Sequence, residues 1–276
     1  MLNHQETTQG SEAQVPPYPG TAGSLHDWIV CPTPRPKARV RLLCFHYAGG
    51  NASLFQNWPD YLSPDIEVCA VQLPGRGNRS HEAPYTQLSA FKGTLTEVLG
   101  PCLTRPFALF GYSMGALVAF EFARELRRQH LPTPHHVFVA ARRAPQAPPP
   151  LNHKLSAMSD ADLIAFLREH GATLGSIKAK GIIMRWILRT MRADCKIAET
   201  FVYTEEEPLD CPISAFGGLE DPYVNEGHLA GWQLHTRRNF SLCLFEGSHS
   251  FLHSAETSVL RVMAQDLRSI WKTVHA

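Results

Sequence analysis

The chain has no long hydrophobic run: nowhere in its 276 residues do apolar side chains reach the roughly 18 in succession that a membrane-crossing helix requires. It also has no excess of either charge. Lys+Arg number 26 against Asp+Glu 25, a formal charge of +1, so no global field gathers nucleic acid or an anionic membrane, and an acidic partner has to be met by a local patch. The seven cysteines are scattered, odd in number and without a C-x-x-C pair, which excludes a disulfide framework or a zinc ribbon. They read as reduced, buried thiols of a cytoplasmic protein with no metal site. Neither G-x-x-x-x-G-K-[ST] nor G-x-G-x-x-G occurs, so nucleotide chemistry has no support and no cofactor is expected. Internal repeats are absent. Residues 1–24 are polar and rich in Pro and Gly, without the apolar core of a signal segment, and are expected as a disordered leader. Residues 25–276 suit one large α/β domain, with a monomer as the expected state.

Short apolar runs alternate with helical patterns along the rest of the chain. Trp28 to Cys31 is a candidate edge strand, and Val40 to Phe45 reads as a strand covered on both faces. Ser53 is expected to cap a short helix reaching Trp58. A strand over Ile66 to Leu73 closes on the turn Pro74-Gly75-Arg76-Gly77, and a helix from about Leu88 to Leu103 is interrupted near Gly100-Pro101. Phe107 to Phe110 precedes Gly111-Tyr112-Ser113-Met114-Gly115, and a helix continues from Ala116 to Arg128, with Leu117, Phe120 and Ala123 on one stripe and its far end solvated. His136 to Ala140, Ile213 to Phe216 and Phe240 to Phe245 are further strands, and the last helix spans about Thr257 to Val274. Strand and helix in alternation, with apolar strands, imply a mostly parallel, doubly wound sheet. The rhythm breaks over about residues 145–209, where prolines lead into helical segments, among them one from Leu163 to Arg168, capped by Ser159-Asp160, and the apolar run Ile182 to Met191. An insertion of this size between strands is expected as a lid or substrate channel.

Strand, sharp turn and helix form the context that a G-x-S-x-G nucleophile elbow requires, so Ser113 is the candidate nucleophile. A serine hydroxyl needs a base, and the base needs a carboxylate to set its tautomer. Downstream, Ile213 to Phe216 runs into Gly217-Gly218-Leu219-Glu220-Asp221-Pro222, and Phe240 to Phe245 into Glu246-Gly247-Ser248-His249-Ser250. Asp221 and His249 therefore stand at strand ends that share one rim of a parallel sheet with Ser113. Glu220 adjoins Asp221, but neighbours in an extended loop point apart, and Asp before Pro is preferred. His228, His235 and His253 read as surface or packing groups, His46 as a loop-shaping residue, and Asp194 as an ion-pair residue of the insertion. An oxyanion needs amide donors: one from Met114 at the first turn of the helix, and one from His46-Tyr47-Ala48-Gly49-Gly50, with Ala48 the choice and Tyr47 and Gly49 the alternatives.

Six segments together carry a family resemblance: R-L-L-C-F-H-Y-A-G-G-N-A-S (41–53), V-Q-L-P-G-R-G-N-R (71–79), G-Y-S-M-G (111–115), M-R-A-D (191–194), F-G-G-L-E-D-P-Y-V (216–224) and G-S-H-S-F-L (247–252). The chain resembles the type II thioesterases that accompany polyketide and nonribosomal peptide synthetases, and is similar to the free medium-chain thioesterase of animal fatty acid synthesis. The resemblance implies an α/β-hydrolase fold with a mobile helical lid. It implies hydrolysis of acyl thioesters carried on the phosphopantetheine arm of acyl or peptidyl carrier protein domains of a polyketide synthase, nonribosomal peptide synthetase or fatty acid synthase. The family's nucleophile, acid and histidine fall on Ser113, Asp221 and His249. Tyr47, Met184 and Trp186 are candidates for lining the acyl and pantetheine channel. The expected role is editing of stalled chains, with release of a finished chain, a general carboxylesterase or a silent carrier-binding module as alternatives. Two departures are visible: Ser250 stands where the family usually has Phe beside the histidine, and His46 where a Pro is common.

Overall fold

Apolar side chains on both faces of a strand need a helical layer on either side, and that demand organises the molecule. The computed structural model describes residues 25–148, 154–169 and 181–274; the leader and part of the expected insertion lie outside the described residues. In chain order the elements are α1 (Leu25–Trp28), β1 (Ile29–Val30), β2 (Val40–Phe45), α2 (Trp58–Tyr61), β3 (Ile66–Val71), α3 (Lys92–Leu99), β4 (Phe107–Tyr112), α4 (Met114–Arg128), β5 (Val137–Ala140), α5 (Asp160–Glu169), α6 (Ile182–Thr200), β6 (Ile213–Gly218), α7 (Glu226–Ala230), β7 (Phe240–Phe245) and α8 (Leu252–Val274). The strands form one seven-stranded sheet in the order β1-β3-β2-β4-β5-β6-β7, parallel throughout except for the short edge strand β1.

The period-two alternation of β2 splits its side chains between two cores. Leu43 and Phe45 join Leu109, Leu117 and Phe122 in the layer of α3 and α4, whereas Val40, Leu42 and Cys44 join Trp58, Val259, Met263 and Leu267 in the layer of α2 and α8. This is the α/β-hydrolase architecture. Its order reverses direction at β2: β3 is laid on one side and β4 on the other. The mouth between the carboxyl ends of β2 and β4 is thus the switch point where such sheets bind ligands.

Several local expectations shift for identifiable reasons. Asn51, not Ser53, caps the turn Ala52–Phe55, because its side-chain oxygen accepts from the Ser53 amide at 2.8 Å. The helix expected from Leu88 to Leu103 is three pieces, with 3-10 turns at Leu88–Ala90 and Gly100–Cys102 flanking α3. The last helix starts earlier than expected, at Leu252, with a kink at Ala255. Helix α4 is buried well beyond one stripe, from Met114 to Ala123, and Arg124 is buried with it. Its far end is also not simply solvated: Arg124, Arg127 and Arg128 all reach Glu206, and Arg124 also pairs with Glu121. Burial opposes charge on Glu206, yet hydrogen bonds from Arg128 and Arg124 bring its carboxyl down to about 2.

Five cysteines are buried and two half-buried, all free; Cys31 Sγ lies 3.5 Å from Cys69 Sγ across the β1–β3 edge. Among the described residues no helix is long and apolar enough to cross a membrane, and no cluster of His, Cys, Asp and Glu is placed to hold a metal ion.

Three interior histidines make stability depend on pH. Burial lowers His46, His136 and His235 from 6.5 to about 4, with Arg76 adding to the effect at His46 and Arg124 at His235. Each binds its proton more tightly in the unfolded chain, so stability is complete above pH 6.5 and falls as pH drops from about 6.5 towards 4. The thermal midpoint is therefore expected to decline between pH 7 and pH 5, before most carboxylates titrate. A flat profile over that range, measured by calorimetry, would contradict the burial of these rings.

Candidate active site

The turn after β4 is built by what its glycines leave out. A Cβ on Gly111 would sit 2.2 Å from the Gly115 carbonyl oxygen, and one on Gly115 would sit 2.2 Å from the carbonyl oxygen of Phe45 and 2.6 Å from that of His46. With hydrogen in both places, α4 folds straight back from β4 and its first turn rests on the end of β2. Ser113, between them, is held at φ 53°, ψ −110°, a left-handed conformation that costs a non-glycine residue about 1–3 kcal/mol. Its amide is anchored to the Ala140 carbonyl at 2.8 Å, and its hydroxyl projects from the top of the sheet.

The residues singled out at later strand ends converge on that hydroxyl. Ser113 Oγ is 3.1 Å from His249 Nε2, and His249 Nδ1 is 2.7 Å from Asp221 Oδ2. Asp221 has a fully buried side chain, and its Oδ1 accepts from the amides of Tyr223 at 2.8 Å and Val224 at 3.1 Å. A carboxylate filled in this way accepts the Nδ1 proton and leaves the Nε2 lone pair facing the serine, the arrangement that lets an imidazole take a hydroxyl proton. Glu220, its neighbour in the same loop, is exposed. The loops of β6 and β7 touch through Gly218, whose Cβ would meet the Ser248 carbonyl oxygen at 2.3 Å.

Pairing of β2 with β4 sets the loop after β2 beside the elbow. There Tyr47 to Gly50 form a tight turn: the Gly50 amide bonds the Tyr47 carbonyl at 2.9 Å, and Gly49 takes φ 75°, the positive value that a type II turn demands of its third residue. Among the described residues the Ala48 N–H donates to no acceptor, and the Met114 N–H is one of the free donors of the first turn of α4. Two unspent amides flank the serine. His46 lies beneath the turn, buried, with Nδ1 2.8 Å from the Tyr47 carbonyl oxygen.

Other candidates divide. Tyr47 stands at the mouth, edge-on to Tyr112 and His253 with ring centroids 5.8 and 5.9 Å away. Met184 packs against the apolar cluster of Leu163, Leu167, Leu188, Met191 and Cys195 that joins α5 to α6. Trp186 is 49% exposed on α6. His228 closes a capping box on α7 with Asn225, and His235 is buried against Gln146. The aromatic missing at Ser250 is replaced from elsewhere, since Tyr223 and Tyr112 both stand edge-on to the His249 ring.

Three supports escaped the reading of the sequence. Tyr112, inside the elbow motif itself, donates its hydroxyl to the His249 carbonyl, and burial raises its pKa. Arg143 donates to the Tyr223 carbonyl at 2.6 Å and so steadies the Asp221 loop. Asp194, expected as an ion-pair residue of the insertion, does pair with Arg76, but it also accepts from the Gly49 amide of the turn beside the serine. The last two contacts cross 80 and 145 residues of sequence and have no local signature.

Comparison with known proteins places the chain in a family. A family model described as a thioesterase domain matches residues 40–267. The chain is 41% identical over 245 residues to the linear gramicidin dehydrogenase LgrE of Brevibacillus parabrevis, across 88% of this chain and 93% of that protein. Despite that relative's name, the present chain carries no G-x-G-x-x-G dinucleotide fingerprint. Among solved structures, the thioesterase RedJ from the prodiginine pathway of Streptomyces coelicolor superposes with a TM-score of 0.79 at 33% identity, covering 84% of this chain and 87% of RedJ. The type II thioesterase BorB of the borrelidin cluster gives 0.78 at 33% identity over 90% and 98%. With the family model spanning most of the chain, and relatives above 30% identity aligned nearly end to end, the protein belongs to the thioesterase family of α/β-hydrolases and is a serine hydrolase of thioesters.

Proposed function

We propose that this protein hydrolyses acyl groups held as thioesters on the phosphopantetheine arm of acyl or peptidyl carrier domains, as an editing enzyme of polyketide or nonribosomal peptide synthesis. The observation that carries the reading is the unbroken chain Ser113 Oγ to His249 to Asp221, beside the amides of Ala48 and Met114, which donate to no acceptor among the described residues. Ser113 Oγ attacks the thioester carbonyl while His249 Nε2 takes the hydroxyl proton and Asp221 holds the ring. The two amides receive the oxyanion. The pantetheine sulfur leaves and takes up a proton from His249; a thiol pKa of about 8.5 means this departure needs little help. Water activated by His249 then cleaves the acyl-serine. No metal or cofactor enters this scheme. The segment between β5 and β6, with α5 and α6, acts as a lid, and the enzyme works as a monomer in the cytoplasm beside its synthase.

The pathway relatives support the carrier assignment, and so does local charge. Arg185, Arg189, Arg192 and Lys196 follow one stripe of α6 and line a cleft of about 730 Å³ with Pro84 and Asp160. Among the described residues, Arg192 alone of these four is paired with a carboxylate, that of Asp160. A cationic cleft suits the phosphodiester of the arm, whereas the net charge of the chain does not select an anion. Arg185→Glu with Arg189→Glu is expected to raise KM for an acyl carrier protein about tenfold while leaving hydrolysis of a short synthetic acyl thioester unchanged. An equal change for both substrates would remove the cleft from carrier recognition.

Editing differs from release in breadth. Intact-mass measurement on acetyl-, propionyl- and long-chain acyl-carrier proteins is expected to show cleavage of the short chains without strong preference. Cleavage of one long chain alone would assign release instead.

A further inference from the structure

Asp194 is fully buried on α6, where an ionised carboxylate is tolerated only if its lone pairs are filled. Arg76 grips it with a fork, Nη1 at 2.5 Å from Oδ2 and Nη2 at 2.8 Å from Oδ1. Arg76 is itself tied to the Pro74 carbonyl at 3.2 and 3.1 Å and to the Gly50 carbonyl at 3.4 Å. The third contact of the carboxylate differs in kind. Oδ2 accepts the Gly49 amide at 2.7 Å, and this amide belongs to the tight turn that carries Ala48.

Helix α6 seats on the same turn by shape. Met191, three residues before Asp194, lies over Gly49 so closely that a Cβ there would be 2.5 Å from the Met191 methyl, and Ala48 packs against the apolar cluster of α5 and α6. Thr190 Oγ donates to the Gly75 carbonyl at 3.0 Å, so the loop of Arg76 is pinned to the same helix. A turn held at Gly49 from one side and closed by Gly50 to Tyr47 has little freedom to rotate the peptide plane that ends in the Ala48 N–H.

From this geometry we infer that Asp194 is a positioning residue. By holding the Gly49 amide, it fixes the Ala48 amide towards the oxyanion formed at Ser113, so the oxyanion site is complete only while α6 of the insertion is seated. The inference rests on the reading of Ser113 as nucleophile and of Ala48 as donor. Asp194 does not touch the reacting atoms; its contribution passes through the turn.

The test compares Asp194→Asn, Asp194→Ala and the double variant Arg76→Met/Asp194→Leu, which exchanges the ion pair for apolar groups so that no unpaired charge is left inside. Active sites are counted by stoichiometric phosphonylation of Ser113, and kcat and KM are measured per titrated site on an acyl thioester. Affinity is measured for a trifluoromethyl ketone analogue, whose adduct with Ser113 places an oxyanion in the same site as the hydroxyl proton passes to His249. Asp194→Ala and the double variant are expected to lose about 10–100-fold in kcat with KM within about threefold, and to lose ketone affinity in parallel. Asp194→Asn retains an acceptor for Gly49 and is expected to lose less. Wild-type kcat per titrated site in the double variant overturns the inference, as does a loss confined to KM or to the titratable fraction. Turnover surviving in Ser113→Ala would remove the functional reading itself, an outcome distinct from both.

Discussion

Ser113→Ala is expected to lower turnover of acyl thioesters on the order of 10⁴-fold or more while the protein folds as before. The loss is this large because the remaining groups have nothing to activate: His249 keeps its bond to Asp221, and the amides of Ala48 and Met114 keep their places, but no atom stands 3.1 Å from Nε2 to attack. Stability should hardly change. Alanine meets the same strained φ of 53° as serine, and among the described residues the hydroxyl lost has His249 as its one side-chain partner. The thermal midpoint should stay within a few degrees of wild type, and the covalent adduct with a fluorophosphonate should disappear. Turnover comparable with wild type would show that another group attacks the thioester.

Gly115→Ala is expected to damage the fold severely for a single added methyl group. Its Cβ would stand 2.2 and 2.6 Å from two backbone carbonyl oxygens at the end of β2, and backbone in a central strand cannot step aside. Helix α4 would have to retreat from β2, carrying Met114 away from Ala48. We expect a loss of about 3 kcal/mol, a fall of about 6–12 °C in thermal midpoint, and a drop in kcat of about 100-fold in whatever folds. Gly93→Ala supplies the contrast. Nothing lies within 4 Å of a Cβ at Gly93 in α3, so the same change there should be neutral or stabilise by up to about 1 kcal/mol. Similar midpoints for the two variants would contradict the close contact between α4 and β2.

Much of this was legible along the chain because the relevant signals are local. The apolar run Val40 to Phe45 coincides with β2, since a strand needing cover on both faces has to be apolar at nearly every position, and Phe240 to Phe245 coincides with the edge strand β7, which is only half-buried. Asp221 was separable from Glu220 by the alternation of side chains in an extended loop, and the structure has Asp221 buried and Glu220 exposed. Boundaries were less legible. The Asn51 cap replaced Ser53 because which side chain reaches an amide depends on the backbone angles of the turn, and Asn51 is extended there at φ −152°. The breadth of burial on α4 was hidden because its Arg124 reads as a surface residue until Glu206, some eighty residues later, comes to meet it.

The amino-acid sequence by itself determined the alternation of strand and helix and the glycines that make the elbow possible, and it singled out Ser113, Asp221 and His249 as candidates, because each of these is written within a few neighbouring residues. The tertiary structure alone decided what stands behind them. Parallel pairing of β2 with β4 sets Ala48 beside Ser113; the packing of α6 brings Asp194 and Met191 onto Gly49; and the meeting of β5 and β6 lets Arg143 steady the Asp221 loop. These are contacts between segments far apart in the chain, and their energies come from burial and from the filling of lone pairs, quantities that exist only once the chain has closed around them.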